Sequence, residues 1–323
     1  MRRAFVVSSV VAVCVAAVAL APPAESQEAV KVKIGRLAFP SLSTMMIDIV
    51  KDQGLDRKHG VDLEPVTLGA ISAYYAALAT GEVDMLPAGP HVLQKMRLEG
   101  VPIKAALTYA RLNALAVITA DPAIKTIADL KGRSIAADMG SSEYQILALY
   151  GKSQGVVFGK DVTVVQAGPP LARTQLQAKR VEAAMTWEPS ATLTLRDNPQ
   201  YRTILTGDTA WKAIAKSAGW ELIVAAREDF LKKSPDAIGR VLRMFQEGQR
   251  FIKASLDDAD RIVVGSVKLP AGVFKEAVAS GRLVYDVMPA WEAERAVIWD
   301  MFKVAVDVGY LPKLPDEGAI YKP

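Results

Sequence analysis

Val32-Lys33-Ile34-Gly35-Arg36-Leu37, followed by a helical stretch from Thr44 to Gln53 that stops at Gly54, returns about a hundred residues later. The second appearance is Ser134-Ile135-Ala136-Ala137-Asp138, followed by a helix from Ser141 that stops at Gln154-Gly155-Val156. The offset of 101 also sets Val61-Asp62-Leu63 against Val162-Thr163-Val164. It slips to 98 where Gly81-Glu82-Val83-Asp84 faces Lys179-Arg180-Val181-Glu182. Short β-branched runs alternating with 3.6-period helical patterns predict parallel strands with helices packed on their faces. Two such units in register predict two similar lobes.

Working outward, the first unit continues with a helix from Ser72 to Ala79 ending near Gly81 and a buried strand from Val83 to Leu86. A helix over 90–98 and a strand from Pro102 to Thr108 complete it. Apolar strands at Leu112 to Thr119 and Glu221 to Ala226 imply two crossings between the units. Long helices are expected from Ser234-Pro235-Asp236 to Ala254 and from Pro289 to Val308. The expected organisation is therefore a discontinuous lobe one, 27–112 with 220–323, and a lobe two, 113–219. A two-strand hinge of this kind suits closure around a ligand.

The N-terminus frames where such a device would work. Arg2 and Arg3 precede an apolar run from Ala4 to Ala21, then Pro22-Pro23 and Ala24-Glu25-Ser26, which reads as a secretory signal with cleavage near Ser26. At roughly 18 residues the run is close to the lower limit for a membrane span, so a retained anchor is the alternative. The only cysteine, Cys14, follows Val13 inside this run and lacks the small residue expected before a lipidated cysteine. The mature chain would contain no thiol and only His59 and His91, which argues against disulfides, a cysteine nucleophile, zinc and a histidine triad. The formal charge is +4, or +3 once Arg2, Arg3 and Glu25 are removed. With no basic block, nucleic acid is not an expected partner. No cofactor is expected either.

In open parallel sheets a ligand lies beyond the carboxyl ends of the strands, so the strand-to-helix junctions are the candidate contacts. In the first unit these are Phe39, Pro40 and Ser41; Gly69, Ala70 and Ser72; and Ala88 and Gly89. In the second they are Gly140, Ser141 and Ser142, then Trp187 and Glu188. Free N–H groups at helix starts favour an anion by roughly 0.3 to 1 kcal/mol each, or about 2 when partly buried. The serines serve either a ligand or the helix cap. Trp187 either projects from its strand end into the cleft or packs in the core. Glu188 either meets a ligand amine or complements a helix dipole, the latter being favoured. Tyr109 and Arg111 lie at the first crossing, where Arg111 pairs either with an anion or across the lobes. Tyr74 and Tyr75 occupy adjacent helical positions, so only one of them is expected to face the sheet, and core or surface is the default for each. His91 sits near a helix start beyond Pro90, where it either approaches the cleft or packs away from it, the latter being favoured.

At these junctions the chain resembles the nitrate, sulfonate and taurine-type binding proteins of ABC importers. The matching segments are Leu78-Ala79-Thr80-Gly81-Glu82-Val83-Asp84, Ile127-Ala128-Asp129-Leu130-Lys131-Gly132-Arg133-Ser134-Ile135-Ala136, Gly140-Ser141-Ser142 and Trp187-Glu188-Pro189. The resemblance covers nearly the whole mature chain. It implies an α/β, type II periplasmic binding protein fold: two lobes, each with a mostly parallel sheet flanked by helices. It also implies a monomer that captures a small organic anion, sulfonate-like or an aromatic carboxylate, and delivers it to an ABC permease in the cytoplasmic membrane. Phe39-Pro40 and Pro87-Ala88 make the first face greasier than nitrate or a small sulfonate requires, and the family also includes binders of thiamine precursors. A sensor docking on a membrane receptor is the first alternative. An enzyme of the related pyrimidine-synthesis family is the second, and its cysteine-rich signature is absent here.

Overall fold

The computed structural model describes residues 28–215 and 217–323; the expected leader, Cys14 and the cleavage near Ser26 lie outside the described residues. Among the described residues ten strands follow in chain order: β1 (Val30–Leu37), β2 (Val61–Leu68), β3 (Met85–Ala88), β4 (Ile103–Arg111), β5 (Ala116–Thr119), β6 (Ser134–Ala137), β7 (Thr163–Gln166), β8 (Ala183–Thr186), β9 (Arg202–Thr206) and β10 (Trp220–Arg227). They form two five-stranded sheets with orders β2-β1-β3-β10-β4 and β7-β6-β8-β5-β9. The orders superimpose term by term. Each sheet contains one antiparallel strand, β10 in the first and β5 in the second. That strand is in both cases the segment entering just after the chain has crossed from the other sheet.

The internal repeat has a structural counterpart in the strand register. Ile34 pairs with Met85 and Ile135 with Ala183, so equivalent positions stand 101 and 98 residues apart. At the second strand Ile34 pairs with Pro65 and Ile135 with Val164, an offset of 99 in place of the expected 101. The helices between strands pack on the sheet faces, bringing apolar stripes inward. In the helix Ala237–Ala254, for example, Ile238, Val241, Phe245 and Ile252 are buried at helical spacing. Gly54, at φ +60°, takes the left-handed turn that ends the first helix, Leu42–Asp52.

Two segments depart from expectation for a shared reason: their backbone groups are used elsewhere. The strand expected from Leu112 begins only at Ala116. Ala114 N–H donates to Glu221 Oε2 (3.0 Å), Ala114 O accepts from Glu188 N–H (3.2 Å), and Leu115 O accepts from Gly207 N–H (3.1 Å). The crossing is thus tied crosswise, outside either ladder. The helix expected from Pro289 begins at Glu294. Met288 O accepts from Thr108 N–H (2.9 Å) and Ala290 N–H donates to Ala106 O (3.2 Å), so 288–290 cover the free edge of β4.

Candidate functional site

The carboxyl ends of both sheets face a narrow cavity. The first sheet's side supplies Ser41 and Ser43 at the start of the Leu42 helix, and Ile71, Tyr74 and Tyr75 from the helix Ile71–Thr80. The second supplies Ser142 and Glu143 from the helix Ser142–Ser153, and Trp187 beyond β8. The cavity is small, about 30 Å³, room for about two waters. Tyr75 Oη and Ser142 Oγ, 3.0 Å apart, hydrogen-bond across it. Gly89 lies beneath that contact: a Cβ there would come within 2.5 Å of Ser142 Cβ. Only a residue without a side chain allows this approach.

Three helix starts around the cavity are occupied by the chain's own side chains, whereas the start at Ile71, after Ala70, has no side-chain cap. Ser41 Oγ accepts from Thr44 N–H (3.3 Å) and Ser141 Oγ from Tyr144 N–H (3.1 Å). Glu188 Oε2 accepts from Thr192 N–H (3.2 Å). The Glu143 carboxyl folds back onto its own backbone N–H and the Ser141 hydroxyl. Glu143 is buried beside Glu221, which leads into Leu222 of the cavity wall. Burial pushes Glu143 up to about 7, and the nearby Asp138 charge adds to this. Burial, then the Glu143 charge, holds Glu221 well above the usual carboxylate range. Two carboxyls so close cannot both ionise at neutral pH, and the pair retains a proton.

The expected site residues divide into three groups. Ser41, Ser142 and Trp187 line the cavity, and Trp187 is also part of the buried core at 3% exposure. Ala88, Gly89 and Ser141 are buried next to it, while Phe39 and Pro40 are half-buried and Gly69, Ala70, Ser72 and Gly140 are exposed. Tyr109, Arg111 and Glu188 are committed elsewhere. The Tyr109 ring is buried against Phe245 and Tyr285, and its hydroxyl donates to Ser43 O (3.2 Å). Arg111 neither faces the cavity nor bridges the two sheets: it binds Asp286 Oδ2 through Nε (2.9 Å) and Nη2 (2.7 Å) and stacks on the Trp220 ring. Glu188 is fully buried and paired with Arg282 (2.8 Å), which also reaches Thr192 and Glu276. Burial raises the Glu188 carboxyl, while Thr192 and Arg282 oppose that rise.

His91 is buried away from the cavity, its Nε2 3.0 Å from Met301 O, and burial lowers it to about 4. Arg36 pairs with Asp48. Sequence reasoning missed Glu143, Ser43 and the role of Tyr75. Glu143 follows the quoted Ser141-Ser142 directly, which was the available signal. Tyr74 and Tyr75 both turn inward, Tyr74 donating to Pro87 O (2.7 Å) and Tyr75 reaching Ser142.

Paired sheets with antiparallel exchange strands and a cavity between their carboxyl ends define the periplasmic binding protein fold, and the solved structures agree. The chain is similar to the aliphatic sulphonate binding protein SsuA from Escherichia coli (TM-score 0.72, 20% identity, 91% of this chain and 92% of that one). It is also similar to the alkanesulfonate-binding protein SsuA from Xanthomonas axonopodis pv. citri bound to MOPS (0.76, 18%, 92% and 100%). The periplasmic nitrate-binding protein NrtA from Synechocystis PCC 6803 matches at 0.67 and 16%, over 90% and 84%. Residues 45–259 match the family described as NMT1/THI5 like, and the chain belongs to that family. A Brucella abortus relative described only as a binding protein is 22% identical over 284 residues, 87% of this chain and 83% of its own. These relatives are binding proteins, not enzymes. Among the described residues no helix is long and apolar enough to cross a membrane.

Proposed function

We propose that this chain is the exported solute-binding component of an ABC importer. It takes a small molecule between two lobes, 27–112 with 220–323 and 113–219, and presents the closed form to a permease in the cytoplasmic membrane. The observation that carries this is the cavity itself: equivalent strand-to-helix junctions of both sheets meet there and touch through Tyr75 and Ser142. Its small volume implies that the lobes part to admit a ligand and that the described form is close to the closed one. Arg282–Glu188 and Tyr310–Gln145 (2.6 Å) link the same two lobes outside the cavity. The expected organic anion finds little support in the lining, where no described residue is Lys, Arg or His. A melting-temperature screen of residues 27–323 tests the binding role. At a hundredfold excess over Kd a ligand stabilises by about 2.7 kcal/mol. Failure of every compound to shift the transition, with no small molecule retained on purification, would reject it.

A further inference from the structure

Resting on that binding role, we infer that the cavity selects a ligand carrying a cationic nitrogen, an ammonium or amidinium on a flat apolar body, with Glu143 as its counter-charge. Three observations converge on this. The helix starts at Leu42, Ser142 and Ser190 are satisfied internally by Ser41, by Ser141 with Glu143, and by Glu188, while the start at Ile71 has no side-chain cap. An anion at those three starts would have to displace these groups. Arg36 and Arg111 at strand ends and Arg282 between the lobes are neutralised within the fold, Arg36 by Asp48, Arg111 by Asp286 and Arg282 by Glu188 and Glu276. What remains is acidic: Glu143 lines the wall, Glu221 is packed beside it, and the Asp138 charge acts on both Glu143 and Tyr75.

One buried polar atom also lacks a hydrogen-bond partner, Thr186 Oγ1, one residue from Trp187 of the lining. A ligand N–H that relieved it would recover a desolvation cost. The walls suit the body of such a molecule. Tyr74, Tyr75 and Trp187 present aromatic surface, which attracts a cation by the ring quadrupole as well as by contact. The groups coupled to Glu143 are Glu221 from β10, Tyr74 and Tyr75 from the helix Ile71–Thr80, and Asp138 beyond β6, none of them a cation. The helices Pro90–Leu98 and Gly207–Ile214 also pack on its helix and bring His91, which burial lowers to about 4, the exposed Lys95, and Lys212 paired with Asp208.

The test compares matched probes, benzamidine and benzoate, by calorimetry on residues 27–323 above pH 7 and again below it. Benzamidine is expected to bind at least about tenfold tighter than benzoate above pH 7, a difference of about 1.4 kcal/mol. That preference should shrink below pH 7 as Glu143 gains its proton, and Glu143→Gln should remove it while leaving the fold intact by circular dichroism. Equal or tighter binding of benzoate overturns the inference and leaves the solute-binding role standing. If neither probe binds, the inference also fails, and native mass spectrometry decides the role separately: a small molecule retained by the purified protein keeps it.

Discussion

Glu143→Gln should stabilise the ligand-free protein at alkaline pH and change little in acid. In the unfolded chain this carboxyl titrates near 4.5, whereas burial beside Glu221 pushes it to about 7 in the fold. Between those values the folded state keeps a proton that the unfolded state has lost. Stability contributed by this group is therefore fully present below pH 4.5 and is lost as pH rises through about 7. At about 1.4 kcal/mol per pH unit the loss is roughly 3 kcal/mol. A glutamine amide cannot ionise, and it offers N–H donors to Glu221 where the native pair has to hold a proton. Urea unfolding of both proteins at pH 5 and pH 8 reads the effect directly. The expected outcome is a gain of about 1–3 kcal/mol for the variant at pH 8 and a difference within about 1 kcal/mol at pH 5. An equal difference at both pH values would refute the buried pair and with it the acidic character of the cavity.

Other substitutions probe separate parts of the account. Trp187→Ala should cost about 3–5 kcal/mol of stability as well as ligand affinity, since the ring is core and cavity wall together; unchanged unfolding would detach it from the core. Arg282→Met leaves Glu188 buried without its counter-charge and should cost roughly 2–4 kcal/mol, measured by the same unfolding curves. His91→Gln addresses acid stability with the opposite sign to Glu143. Burial lowers His91 from 6.5 to about 4, so its contribution is present above pH 6.5 and is lost as pH falls through about 4. The variant should flatten that acid limb, and an unchanged limb would place the acid sensitivity elsewhere.

The architecture was legible because strand and helix periodicity, and their return at offsets of 101 and 98, depend on local pattern. The pairings Ile34–Met85 and Ile135–Ala183 carry the same two offsets. The positions of the crossing and of the last long helix were not legible. Both are decided by backbone groups of distant segments, Glu221 on Ala114 and Met288 on Thr108. The cavity shows the same division. Its loops could be located from strand ends, and Ser41, Ser142 and Trp187 reach it. Its charge could not. Helix starts read alone suggest free N–H groups, whereas those at Leu42, Ser142 and Ser190 are filled by nearby side chains. Arg111 and Glu188, both candidates in the sequence, are held by partners far along the chain, Asp286 and Arg282. Adjacent positions such as Tyr74 and Tyr75 cannot be assigned by periodicity when a helix is covered on two sides.

A crystal structure of residues 27–323, purified without denaturation and soaked with benzamidine, tests the central claim most directly. The expected result is electron density for a small molecule between Tyr75, Glu143 and Trp187, with a nitrogen against the Glu143 carboxylate and the Tyr75–Ser142 bond opened around it. Density confined to another groove, with that bond intact, would contradict it.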